Sequence, residues 1–275
     1  MKNKSISIVM AICDSDCPII LSECLSSIDD QSFFDFDVFL TSDGDLSEEL
    51  IMAIQNSSLF KNNKLIFTSL PKQFSPYHCW NFGIDNSTSK YIVRMDPDDL
   101  MSINRLSTLY DYMEMNPNVD VCGSYISEFI DNPSKIIGVR KVPLSSSDIY
   151  FSLKLSNPFN HVSVILRRIS LGDVRYVKHF GLVDYLFWLN LSKSNLVFAN
   201  IPEILVNVRL GENFYKRRSG VKYLYSELLL CRLGLTDFQW SVIDGIRFIT
   251  PRILVRLSPS FLFNFIYKFK RSFLN

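Results

Sequence analysis

The chain has 275 residues, of which 47% are hydrophobic and 13% aromatic, and its net charge is +1. Such a chain can bury a sizeable core as one large domain, or a domain with an appendage, and it is not a disordered polypeptide. The near-neutral balance argues against nucleic acid as a partner, because neutralising a phosphate backbone takes a basic surface. The six cysteines, Cys13, Cys17, Cys24, Cys79, Cys122 and Cys231, show no CxxC pair and no disulfide-rich spacing. They read as buried, reduced thiols of a reducing compartment.

Ile6 to Ile12 (ISIVMAI) is a continuous apolar run rich in β-branched residues, as expected for a strand buried on both faces. It is too short for a signal-peptide core and no small-residue cleavage site follows it, so a cytoplasmic protein is expected. Ile19 to Ile28 has helical spacing through Ile20, Leu21, Cys24, Leu25 and Ile28, with Pro18 in the first turn. Asp37 to Thr41 is a second strand, ending in the turn signal Ser42-Asp43-Gly44-Asp45. A helix over Glu48 to Gln55, a strand over Lys64 to Thr68, a helix over Tyr77 to Ile84 and a fourth strand over Lys90 to Met95 follow. This alternation predicts an α/β fold, a Rossmann-like, mostly parallel sheet with helices on both faces.

A helix is expected after Asn104 to about Met115, closed by Asn116-Pro117, then a strand pair within Val119 to Ile130. Asn160 to Arg167 reads as a strand and Val183 to Leu191 as a helix. From about Val221 the chain is helical and changes character.

In open α/β sheets ligands bind at the carboxyl ends of the strands, and acidic residues gather there. Asp14 and Asp16 follow the first strand, Asp43 and Asp45 the second, and Asp96, Asp98 and Asp99 the fourth. The sharpest signal is Met95-Asp96-Pro97-Asp98-Asp99. Carboxylates this close repel one another unless a cation compensates, and a hard divalent cation that bridges phosphate oxygens is the natural one. The competing reading is a solvated turn built from Asp and Pro. At Asp43 a carboxylate can accept a hydrogen bond from a base N–H, while Gly44 lets the backbone turn with positive φ. Asp184 stands alone in Gly181-Leu182-Val183-Asp184-Tyr185-Leu186-Phe187-Trp188, either as a helix cap or first-turn charge, or as a general base in a cleft.

Together these motifs resemble the family 2 glycosyltransferases, inverting enzymes of the GT-A fold. The resemblance covers roughly residues 4 to 215, in the family's order. It runs through the first strand and helix, the Asp43-Gly44 turn, Trp80 to Ile84, KYIVRMDPDDLMSINRL, NPNVDVCGS, NHVSVILRR, DYLFWLNL and ANIPEILVNVR. It implies that Asp43 pairs with the pyrimidine base of a nucleotide sugar, and that Asp96 and Asp98 lie at the ribose and the metal-bound diphosphate. Asp98 is then the direct ligand of Mn2+ or Mg2+, Asp99 supports the site from behind, and Asp184 is the catalytic base. The first strand ends Ala11-Ile12-Cys13-Asp14, so contacts to the nucleotide at Ala11 and Cys13 are expected from backbone. His161 stands where it could line the acceptor side, approach the metal, or serve as a hydrogen-bonded structural histidine. His78 and His179 read as surface or structural, and Trp80 and Trp188 as core. Attack from the face opposite the leaving group needs no enzyme nucleophile, in keeping with the absence of any Ser-His-Asp or Cys-His order.

Residues 1–220 are thus expected to form the nucleotide-sugar-binding and catalytic domain, and 221–275 a helical, amphipathic extension. From Trp240 onward Arg247, Arg252, Arg256, Lys268, Lys270 and Arg271 face one acidic residue, Asp244, with bulky apolar residues between them. Pro251 and Pro259 are expected to break this stretch into short helices. Basic and aromatic amphipathic helices lie in the headgroup region of anionic membranes, the competing reading being a C-terminal helix docked on the catalytic domain, and no uncharged apolar run reaches the ~20 residues of a span. The resemblance extends to bacterial enzymes that build O-antigen and other surface polysaccharides on a lipid carrier. It implies a peripheral enzyme on the inner face of the cytoplasmic membrane, moving a hexose from UDP-galactose or UDP-glucose to a lipid-diphosphate-linked saccharide. The alternatives are a nucleotidyltransferase, which usually carries a glycine-rich basic loop where this chain has Asp14-Ser15-Asp16, and a non-catalytic carbohydrate-binding relative.

Overall fold

A computed structural model describes residues 4–73, 75–211 and 220–257. Strands β1 (Ile6–Ile12), β2 (Phe36–Asp43), β3 (Leu65–Leu70) and β4 (Tyr91–Arg94) run parallel in the order β3-β2-β1-β4. Between them lie α1 (Pro18–Asp29), α2 (Glu48–Asn56), the single turn α3 (Ser58–Lys61) and α4 (Tyr77–Asn86). The sheet then continues through β8 (Ile165–Arg167), β6 (Val121–Phe129), β9 (Phe198–Arg209) and β5 (Leu100–Met101), and β7 (Gly138–Arg140) pairs with β6. This second half is mixed: β8 is antiparallel to both neighbours, β6 and β9 are parallel, and β5 is antiparallel to β9. The remaining helices are α5 (Arg105–Met115), α6 (Ser146–Ser152), α7 (Val183–Ser192), α8 (Val221–Asp237) and α9 (Val242–Arg256).

All seven residues of β1 are buried, because each face of the strand meets its own core. Ile6, Ile8, Met10 and Ile12 pack with Leu21, Cys24, Leu25 and Ile28 of α1 and with Leu106 and Leu109 of α5. Val9 and Ala11 point the other way, to Cys79, Trp80 and Ile84 of α4 and to α7 beyond them. A Cβ on Gly83 would come within 2.7 Å of Val9, so only glycine lets α4 approach this closely.

Several expectations change. Val119 to Ile130 is one strand rather than a pair, because its partners come from distant segments: β8 and β9 flank β6 and β7 joins its far end. Asn160 to Arg167 opens as a 3-10 turn over His161–Ser163, closed by Ser163 N donating to Asn160 O at 2.8 Å, and only Ile165–Arg167 is strand. The cysteines are all free, but Cys17 is exposed and Cys13 half-buried, since both precede the first turn of α1 instead of facing the core.

Pro251 does not end a helix: α9 continues through it to Arg256. The proline removes one backbone donor. The turns on either side are held by tertiary contacts, with Phe248 fully buried and Arg252 donating to Phe248 O and Leu155 O. Pro259 lies outside the described residues. No helix among the described residues is long and apolar enough to cross a membrane.

Candidate active site

The parallel register sets Ile12 of β1 opposite Ser42 of β2, and Val9 opposite Arg94 of β4. The strands therefore deliver Asp43, Cys13 and Asp96 to one edge of the sheet. Carboxylate oxygens of Asp96, Asp98 and Asp99 lie within 4.8 Å of one another there.

Two buried guanidiniums lie beneath this turn. Arg94 is 2% exposed, packs 4.3 Å over the Trp80 ring and donates to Asp96 Oδ1 and to the Met95 carbonyl. Arg105, fully buried, donates to the carbonyls of Arg94 at 2.7 Å and Val162 at 2.6 Å. Burial pulls Arg105 down to about 9, which still leaves it charged at neutral pH. From the other side Arg209, at the end of β9, donates its backbone N–H to Asp99 Oδ1 at 2.9 Å and its Nε to Asp98 O at 3.3 Å. It also reaches Glu23 at 2.5 Å.

Asp99 is buried, and desolvation, then the charges of Asp98 and Asp96, push its carboxyl well above the usual carboxylate range. A divalent cation fits this donor set: hard oxygen ligands converge, and their mutual repulsion is what a bound positive charge relieves.

Asp43 is held by the backbone of a neighbouring segment. Its Oδ1 accepts from Gln73 N at 2.6 Å and its Oδ2 from Ser75 N at 2.8 Å, while His78 Nε2 stands 3.3 Å from Oδ1. The carboxylate thus ties the segment after β3 to the end of β2. Gly44 follows with φ +95°, which permits the turn. Beside it an open cleft of about 600 Å³ is lined by Gly44, Asp45, Ser69, Leu70, Pro71 and Lys72. The Cys13 backbone N–H is taken by Asp16 Oδ2 at 2.8 Å, and its thiol sits 3.1 Å from Ser15 Oγ. Ala11 is buried in the core beneath α4.

Asp184 lies in the first turn of α7, but the N-cap is Leu182 and no side chain caps the helix. Its Oδ2 accepts from Asn157 Nδ2 at 2.7 Å. Burial pushes the Tyr176 phenol up, Arg94 acting against it and Asp184 and Asp96 adding to the rise. His161 Nε2 is 2.9 Å from Tyr176 Oη, and its ring meets Trp80 and Trp188 edge-on at 4.8 and 6.0 Å. Burial, then Arg94, holds its pKa well below the ordinary value, so the imidazole is neutral. The converging ligand atoms at the acidic turn come from Asp96, Asp98 and Asp99, with His161 in the aromatic layer behind Arg94.

Arg94, Arg105, Arg209 and Asn157 are not singled out by the sequence, and His78, expected to be surface or structural, stands against Asp43. Arg94 carries a signal in retrospect, since a charge inside a strand buried on both faces needs a partner. Asn157 carries none, because its contact to Asp184 spans 27 residues.

A parallel nucleotide-side sheet, a mixed second half and three carboxylates past the fourth strand define the GT-A class of glycosyltransferases. The chain belongs to glycosyl transferase family 2, whose model matches residues 7–179. It is 30% identical over 266 residues to the amylovoran biosynthesis glycosyltransferase AmsE of Erwinia amylovora, covering 95% of this chain and 97% of that protein. It is 32% identical over 267 residues to the UDP-Gal:alpha-D-GlcNAc-diphosphoundecaprenol beta-1,3-galactosyltransferase of Escherichia coli, covering 95% and 94%. Among solved structures, S. aureus TarS 1-349 in complex with UDP-GlcNAc matches with a TM-score of 0.66 at 14% identity, covering 90% of this chain and 71% of that one. The mannosyltransferase PcManGT of Pyrobaculum calidifontis, in complex with GDP-Man and Mn2+, matches with a TM-score of 0.59 at 12% identity, covering 94% and 82%. The two structures share the fold.

Proposed function

We propose that this glycosyltransferase moves a hexose, with inversion, from UDP-galactose or UDP-glucose to a hydroxyl of a lipid-diphosphate-linked saccharide in bacterial surface-polysaccharide synthesis. The observation that carries the reading is the convergence of Asp96, Asp98 and Asp99 at the carboxyl end of β4, braced by Arg94 and Arg209. The nearly full-length likeness to a galactosyltransferase named for UDP-Gal and a diphosphoundecaprenol-linked GlcNAc supports the donor and acceptor classes.

Asp96 and Asp98 would hold a Mn2+ or Mg2+ ion, with Asp99 behind them. Such an ion neutralises charge building on the leaving diphosphate. The cleft beside Gly44 and Asp45 suits the nucleoside end of the donor, with Asp43 shaping its wall through Gln73 and Ser75. Asp184, on the far side of Tyr176, takes the proton of the attacking hydroxyl, which is too weak a nucleophile without a base.

The enzyme would work as a peripheral protein on the inner face of the membrane that carries its acceptor. Exposed Val242, Ile243, Ile246 and Leu254 along α9, with Arg247 among them, support a surface that meets anionic lipid.

The test is a panel of UDP-galactose and UDP-glucose with Mn2+ or Mg2+ and a synthetic GlcNAc-diphospho-lipid acceptor. One donor should be consumed, and Asp98→Ala should abolish transfer and the rise in Tm that Mn2+ gives the wild type. Full turnover in excess EDTA, or in Asp98→Ala, overturns the metal assignment.

A further inference from the structure

Asn157 lies in the connection between α6 and the turn that carries His161, in a segment fixed on several sides. Its Oδ1 accepts from Phe159 N at 3.2 Å, so the amide has one orientation and Nδ2 is the atom turned to Asp184 Oδ2, 2.7 Å away. Its own carbonyl accepts from Arg140 at 3.1 Å. Phe159 is fully buried, with its ring 4.8 Å from Trp188 of α7. Tyr185, the neighbour of Asp184, donates its hydroxyl to Leu153 O at 2.8 Å. Arg252 of α9 donates to Leu155 O at 2.9 Å. The amide donor and the carboxylate acceptor are therefore both set on packed structure, and their alignment is preorganised.

We propose that Asn157 is a positioning residue for Asp184, fixing the plane of its carboxylate and favouring its ionised form at the acceptor side of the site. The inference rests on Asp184 being the base. A hydrogen bond donated to a carboxylate stabilises the charged form, and a base must be charged and correctly aimed to take a proton. Among the described residues the charge of Asp184 acts on Tyr176, His179 and Tyr185. Burial keeps both phenols protonated and holds His179 below its ordinary value, so around neutral pH these three are neutral, while the Asn157 amide donates directly to the carboxylate.

The experiment uses full-length protein labelled with 13C at the aspartate carboxyls, with the Asp184 resonance identified by its loss in Asp184→Asn. Asn157→Ala should raise the Asp184 midpoint by about one pH unit, the direction expected when a donor to the charged form is removed. Asn157→Asp keeps an oxygen for Phe159 N and the same shape, and should raise the midpoint further by placing two carboxylates together. In turnover of UDP-galactose with the GlcNAc-diphospho-lipid, both variants should keep the donor KM, and the acid limb of their kcat profile should move to higher pH in step with the carboxyl midpoint, about tenfold below wild type on that limb for a shift of about one unit. Unchanged midpoints in both variants, or an acid limb that stays where the wild type's lies, overturn the proposal. Wild-type turnover in Asp184→Asn overturns the base assignment instead, and the carboxyl titration still reports whether Asn157 governs Asp184.

Discussion

The buried polar side chains behind the acidic edge divide into charges that are paired and one ring that is kept neutral. His161 is enclosed by Trp80, Tyr176 and Trp188 and hydrogen-bonds the Tyr176 hydroxyl. Its folded pKa lies well below the ordinary 6.5, chiefly from burial. The unfolded chain therefore takes up a proton as pH falls through 6.5, while the folded protein does not. The contribution of His161 to stability is complete above that pH and declines below it, towards the depressed folded value, by at most about 1.4 kcal/mol per pH unit for one proton. Urea unfolding at pH 7.5 and 5.5 should show a larger loss for the wild type than for His161→Gln, which keeps a hydrogen-bonding group without the titration. Equal losses would mean that the ring is protonated when folded. At this scale the sequence reveals Asp96, Asp98, Asp99 and Asp184, because acidic residues at strand and helix ends stand out against apolar surroundings. It hides what each carboxylate is bonded to. Asp43 looks like a group facing ligand, yet it accepts two backbone N–H groups from a segment 30 residues on.

Elements with a clean period are legible, and those held by distant partners are not. β1 matches its apolar run residue for residue, and α1, α2 and α7 fall within two residues of their expected ends, since each buries an apolar face locally. α9 differs: proline predicts a break, and tertiary contacts override it. Glu227 on α8, 3% exposed, receives Arg256 through Nε at 3.0 Å and through its terminal nitrogen at 2.9 Å, and Arg252 Nε lies at 3.3 Å. This places one carboxylate against two guanidiniums on the turn that follows Pro251. Removing the carboxylate takes a shared counter-ion from two mostly buried cations, which typically costs about 3–5 kcal/mol. Glu227→Ala should lower Tm by several degrees and increase amide exchange in α9 before the rest of the molecule. Loss of stability with unchanged exchange in α9 would show that another contact holds that helix.

On the scale of the whole molecule, two cores share one sheet, and the C-terminal helices belong to the second. Leu230 and Cys231 of α8, Trp240, and Phe248 of α9 belong to the same core as α7, the Phe248 ring lies 6.0 Å from that of Tyr185, and Tyr223 donates to Gly181 O at 3.2 Å just ahead of the Asp184 helix. The helices beyond residue 220 thus complete a core shared with the preceding residues and lie against the segment that leads into the helix carrying Asp184. The proposed lipid-facing role would fall to surfaces those contacts leave outward. Exposed Val242, Ile243, Ile246 and Leu254 line α9, and residues 258–275 add Lys268, Lys270 and Arg271 with no acidic residue. Each basic residue close to an anionic bilayer contributes roughly 1 kcal/mol, and salt screens that share while leaving apolar insertion. A chain ending at residue 257 should therefore stay folded, turn over a water-soluble acceptor near the wild-type rate, and partition less to phosphatidylserine-containing vesicles. Full-length binding to those vesicles should weaken at 1 M salt. A chain ending at residue 220 should instead be insoluble, because it removes Leu230, Cys231, Trp240 and Phe248 from the core they share with α7. If the full-length protein ignores the vesicles at low salt, the outward face of α9 meets protein and not lipid. If the 257-residue chain binds them as tightly as the full-length one, α9 alone supplies the contact and the basic tail adds nothing to it.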